Sequence, residues 1–247
     1  MPVVLREARA TLVPDMAGPH GPLPPVMLAL TVVTGLVDAF SYLLLGHVFV
    51  ANMTGNVIFM GFAFAGASGF SLLASVVALV SFAAGALLGG RAVHRVRTHR
   101  GRQLQHALLV ETAFVTAAMI VAFVSGQPYT GAVRFTLIAL LALGLGVQNA
   151  AARALAVPDL KTTVLTLTIT GIVADSRLAR GRGSRIGRRG LAAVAMLAGA
   201  YAGALAVLNG YPGLPLVLAA AVLAAASTAA TLLARDDAPW TRPPVTA

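Results

Sequence analysis

Asp38 poses the first chemical question, because it lies about 13 residues past Pro25 inside a long apolar stretch. An ionised carboxylate at such a position costs ~2.5–3.5 kcal/mol on insertion scales, so it must face a bundle interior or a wet cavity. There it could carry a proton or ligate a cation, or serve as a hydrogen-bonded acid that locks helix packing. Asn52, Thr54, Gly55 and Asn56 form a second polar group. A glycine beside two amides can release a helix from its hydrogen-bond ladder, and the freed backbone groups could hold an ion or solute, as in transporters with discontinuous helices. The same residues could instead bond across a helix interface. Gln148 and Asn149 are an amide pair that could face the cavity of Asp38 or occupy an interface. The candidate ligands for a small solute or ion are therefore Asp38, Asn52, Thr54, Asn56 and Asn149.

Other polar residues have simpler explanations. Thr162, Thr163, Thr166 and Thr168 can satisfy their hydroxyls on the preceding helical turn. Glu111 is expected about one turn inside its apolar block, within reach of water or an arginine. Asp175 is expected to pair with Arg177. His94, His99 and His106 border a basic loop and His47 a tight turn, with no metal-ligand spacing. The chain has no Cys, which excludes thiol chemistry and disulfides. With no Ser-His pairing either, no metal, cofactor or catalytic set is expected.

The elements that position these groups follow from composition. Of the 247 residues 58% are hydrophobic and 11% charged, and mean hydropathy is +0.85. A water-soluble domain could not bury that much apolar surface. The apolar residues come in blocks of the length a helix needs to cross ~30 Å of hydrocarbon, without strand-like alternation. An all-α polytopic membrane bundle is predicted. The net charge of +10 resides in short loops, so it orients the chain in a lipid bilayer, and no nucleic acid partner is expected. Residues 1–24 and 235–247, Pro-rich and polar, read as flexible tails flanking one membrane domain, 25–234.

Eight apolar blocks fall at about 26–45, 48–66, 70–90, 107–125, 134–152, 162–175, 190–208 and 214–234. Arg91, Arg95, Arg97, Arg100 and Arg102 form one basic loop, and Arg177, Arg180, Arg182, Arg185, Arg188 and Arg189 another. Both should be cytoplasmic, which requires an even number of crossings between them. The short, Thr-rich block 162–175 is the one to demote, to a broken or re-entrant helix.

An internal repeat at an offset of 111 to 114 residues supports this. It pairs Gly35 and Asp38 with Gly146 and Asn149, Thr54 and Asn56 with Thr166 and Thr168, and Gly85 and Gly89 with Gly199 and Gly203. The last four are small-xxx-small packing sites, which could also support a homodimer. Opposite placement of the basic loops gives the halves, about 26–125 and 134–234, opposite orientations. Six full spans plus two broken or re-entrant helices in an inverted repeat are predicted, with both termini cytoplasmic.

The run GLVDAFSYLLLGHVFVANMTGNVIFMG, residues 35–61, resembles the signature of the YoaK-like family of bacterial membrane proteins. GLGVQNAAAR, 144–153, and TTVLTLTITGIVADS, 162–176, are similar to its other characteristic segments. The resemblance implies a multi-span inner-membrane protein and brings no activity, substrate, cofactor or catalytic residue. Architecture alone points to a small secondary transporter or channel. A non-catalytic scaffold or assembly factor is the alternative, and an intramembrane enzyme a more distant one.

Overall fold

The computed structural model describes residues 3–96, 98–158, 160, 165–174, 186–234 and 238–242. Among them are nine α-helices and no strand: α1 Val3–Leu12, α2 Leu23–Leu44, α3 Met53–Phe64, α4 Leu72–Arg95, α5 Arg100–Ser125, α6 Gly131–Leu155, α7 Leu165–Ala174, α8 Ile186–Leu208 and α9 Leu214–Leu233. Six of these, α2, α4, α5, α6, α8 and α9, are long and apolar enough to cross a bilayer. The two remaining apolar helices are short. α3 has 12 residues and α7 has 10, about 18 and 15 Å of helix.

The helix boundaries have local causes. Pro24 and Pro25 supply the fixed φ of the first turn of α2. Ser71 caps α4 by accepting from Ala74 N at 3.3 Å, and His99 caps α5 by accepting from Arg102 N at 3.2 Å. α6 stops at Ala156, which adopts the left-handed conformation at φ 47°, with Pro158 just beyond.

Helices in lipid gain little from hiding apolar surface from one another, so close packing decides which of them meet. α4 packs against α6 and α2 against α8, each through glycines. A methyl group added to Gly85 would fall on the Leu143 carbonyl, and one on Gly199 would fall on the Val32 carbonyl. In return, Gly146 meets the backbone at Phe82, and Gly35 meets it at Met196. Gly89 rests against Val147 and Gly203 against Leu36. Every partner in one contact is the repeat equivalent of a partner in the other. The two halves therefore share one fold and exchange their first spans.

Their directions are opposed. Arg100, at the start of α5, donates to the carbonyls of Pro19, Leu155 and Trp240. The segment entering α2 and the end of α6 thus lie at the same end of the bundle. α2 leaves that end while α6 arrives there, so the repeat is inverted. Arg188, at the start of α8, donates to Thr11 Oγ1 and to the Pro158 carbonyl, which brings the other basic segment to this arginine-rich end. Arg177, Arg180, Arg182 and Arg185 lie outside the described residues. Outward-facing Val80, Leu88, Ile120, Val124, Leu197 and Leu205 are exposed and form the lipid-facing surface.

Three placements differ from the sequence reading. Residues 3–12, expected within a flexible tail, form α1, which packs on α8. Glu7 there accepts from Gly187 N at 3.0 Å, a carboxylate on the positive end of a helix. In the C-terminal segment Trp240 is fully buried and lies against Gly21 and Gly101. Glu111, expected one turn inside its apolar block, has its Cγ beside Gly144, thirteen residues into the 25-residue α6, which places it at the middle of that span. Gly85, Gly89, Gly199 and Gly203 all face inward, so these four glycines serve packing within the chain.

Gly85→Ala and Gly199→Ala are expected to cost about 1–3 kcal/mol each, because the added methyl overpacks against backbone. Gly90→Ala, with open space at its Cβ, should be neutral or mildly stabilising. Thermal unfolding of the purified variants in detergent checks the ranking.

Candidate functional site

The chain between α2 and α3, residues 45–52, is not helical. Such a segment at membrane depth leaves N–H groups without intrahelical partners. Two side chains supply partners here. Asp38 Oδ1 accepts from Val50 N at 3.0 Å and from Ala51 N at 2.9 Å. Asn56 Oδ1 accepts from Phe49 N at 2.9 Å, and Asn56 Nδ2 donates to Phe49 O at 2.6 Å. Asn56 thus plays the part of a neighbouring strand for one residue. Asn52 then caps α3, accepting from Gly55 N at 3.3 Å.

These bonds give the segment its path. Asp38 is six residues from the end of α2, about 9 Å inward. Val50 and Ala51 must reach that depth to bond it, so the chain descends beside α2, turns at Asn52 and returns outward as α3. The element is re-entrant, opening at the end opposite the arginines. Val48, Val50 and Ala51 are buried. Rings of Tyr42, Phe49, Phe59, Phe62 and Phe70 pack around it, with centroid distances of 4.9 Å for Tyr42–Phe49 and 5.2 Å for Phe59–Phe70. His47, in a positive-φ turn, bonds the Gly69 carbonyl at 3.0 Å; it is a structural contact in the loop.

The five residues singled out from the sequence do not form one site. Asp38, Asn52 and Asn56 converge on the turn before α3. Thr54 follows on α3, exposed. Asn149 is six residues from the end of α6 at the arginine-rich end, so it occupies the equivalent depth in the opposite half of the bundle. Its amide donates to Leu145 O at 2.9 Å, and it has a further partner. In the second half Thr168 is buried and Thr166 exposed, whereas Thr162, Thr163 and Asp175 lie outside the described residues. Gln148 faces inward and donates to Thr34 Oγ1 at 2.9 Å, tying α6 to α2.

The amide groups of Asn56 are both spent on Phe49. Asp38 Oδ2, in contrast, makes no hydrogen bond among the described residues, while Oδ1 holds the turn. No group of three His, Asp or Glu residues that could hold a metal occurs among the described residues. A cavity of about 460 Å³ lies elsewhere, between the end of α5 and the loop joining α8 to α9, lined by Phe123, Tyr129, Tyr211 and Leu214. Sequence reasoning placed Glu111 within reach of water or an arginine, whereas it is buried near the middle of α5.

Comparison with known proteins agrees with the architecture. The family described as "Protein of unknown function (DUF1275)" matches residues 26–230. The UPF0700 transmembrane protein YoaK of Bacillus subtilis (strain 168) is 31% identical over 150 residues. That match covers 60% of this chain, and the chain spans 64% of the relative's length. No solved structure matches the chain. The family match takes in both halves of the repeat, and the chain belongs to the DUF1275 family.

Asp38→Ala would leave the Val50 and Ala51 N–H groups unpaired, at about 1–3 kcal/mol for each. Asp38→Asn keeps the acceptor oxygen and is expected to preserve the turn. Hydrogen exchange over residues 45–56 in lipid nanodiscs should accelerate in the alanine variant and stay near wild type in the asparagine variant.

Proposed function

We propose, from membership of a multi-span membrane family without an assigned activity, that this chain is a small secondary transporter or channel for a small solute or ion. The observation that carries the reading is the re-entrant α3 with Asp38 at its turn, set within an inverted repeat. In transporters of inverted-repeat design the two halves offer alternative packings around a site near the midplane, and interrupted helices expose backbone groups to the passing solute. The element open at one end is α3. Its repeat counterpart α7, packed on α8 near the arginine-rich end, is the candidate for the other end. Asp38, with one oxygen uncommitted, is the group proposed to meet the solute or ion, and Thr54 the neighbouring hydroxyl.

A non-catalytic scaffold is the second reading, and a specific observation favours it: Asn56 and one oxygen of Asp38 are consumed in holding the fold. Flux measurements separate the two. In liposomes containing the wild-type protein, a panel of small solutes and protons is expected to yield one flux above protein-free background. Asp38→Asn should reduce that flux at least about tenfold, the equivalent of ~1.4 kcal/mol, while remaining folded. Equal, background-level flux for both proteins across the panel would leave the scaffold.

We also propose a bacterial cytoplasmic-membrane location with both termini and the arginine-rich end in the cytoplasm, because short loops rich in Arg are retained inside. The chain has no Cys, so each introduced thiol reports its own side. Ser68→Cys and Asn209→Cys are expected to react with an impermeant maleimide on intact cells. Thr98→Cys, Arg153→Cys and Arg242→Cys should react only after permeabilisation, and the reverse pattern would invert the assignment.

A further inference from the structure

Glu111 is the one carboxylate in the described bundle that no packing role explains. It is 1% exposed, and Oε1 is enclosed with no hydrogen-bond partner. It lies near the centre of α5, with its Cγ beside Gly144, thirteen residues into the 25-residue α6. One turn further along α6, Gln148 has a second enclosed oxygen, Oε1, that also lacks a donor. Both atoms are acceptors. The nearby hydroxyls direct their protons elsewhere: Thr34 to Leu30 O and Thr112 to Leu108 O.

The elements packed against α5 bring no compensating cation. α9 carries no ionisable residue. On α6 only Arg134 and Arg153 are charged, near its two ends. On α4 Arg91, His94 and Arg95 are confined to the final turns. On α5 itself Arg100 and Arg102 are at the first turn, with His106 one turn further on, and Arg100 is committed to three carbonyls. An isolated carboxylate in an apolar interior neutralises by taking up a proton, because the bare charge loses its hydration without a partner. Intramembrane acids so placed mark proton pathways.

We propose that Glu111 resides in the bilayer as a neutral carboxylic acid and is the group through which this protein binds and releases a proton. The second half of this statement rests on the transport reading above; the first does not. In the release step the Oε–H bond breaks, a water molecule takes the proton, and a carboxylate remains until a proton returns. Glu111 and Asp38 then divide the work: Asp38 lies near the opening of α3, and Glu111 at mid-bundle supplies or receives the proton.

Infrared spectroscopy of the purified protein in lipid tests this without any solute. Wild type is expected to show a carboxylic-acid carbonyl band near neutral pH that is lost in Glu111→Gln and kept in Asp38→Asn. On transfer to heavy water the band should shift, since a proton carrier must exchange with solvent. A band that survives in Glu111→Gln, or that never exchanges, would overturn the proposal. Should the glutamine variant fail to assemble, Glu111→Asp is expected to keep the acid and move its band, and an unmoved band would be equally damaging. Absence of flux from wild-type liposomes would remove the transport reading and leave the protonation result standing.

Discussion

Two backbone-to-backbone crossings, α4 on α6 and α2 on α8, hold the molecule together. Each depends on glycines facing main chain, Gly85 and Gly146 at one and Gly199 and Gly35 at the other. In lipid this approach supplies the dispersion contact that burial from water supplies in a soluble core. Because each crossing joins the first span of one half to the second span of the other, the main contact of each of these spans lies in the opposite half. The exchange makes one body of two oppositely directed repeats.

A second constraint acts on the backbone between α2 and α3. Main-chain N–H groups at membrane depth have no water to fall back on, so the irregular run before α3 exists only where side chains take those bonds. Asp38 and Asn56 do this for Phe49, Val50 and Ala51. The polarity that suggests a ligand site is thus partly the polarity needed to build a re-entrant turn at all. The unspent oxygen of Asp38 is what separates the two uses.

At the arginine-rich end, charge becomes structure. Arg100 is buried and ties the N-terminal segment, the end of α6 and the C-terminal turn through three carbonyls. The Leu155 carbonyl belongs to the last turn of α6, where an arginine also meets the negative end of the helix dipole. Glu7 on the start of α8 is the complementary arrangement, an acid at a positive end.

Hydropathy, charge and the internal repeat together determined that the chain is a helical membrane protein, that six of its eight apolar blocks have the length of spans, and that the halves are inverted. Those properties depend on segment length and on the side of each arginine cluster, which are local or additive along the chain. The glycine pairs were legible as packing sites because small-xxx-small spacing is local too. Only tertiary structure decided that Asn56 is consumed by Phe49 and that residues 3–12 and Trp240 are docked. It also decided that Glu111 is at mid-bundle and without a partner. These depend on which surfaces meet across a hundred or more residues, which an apolar run does not record.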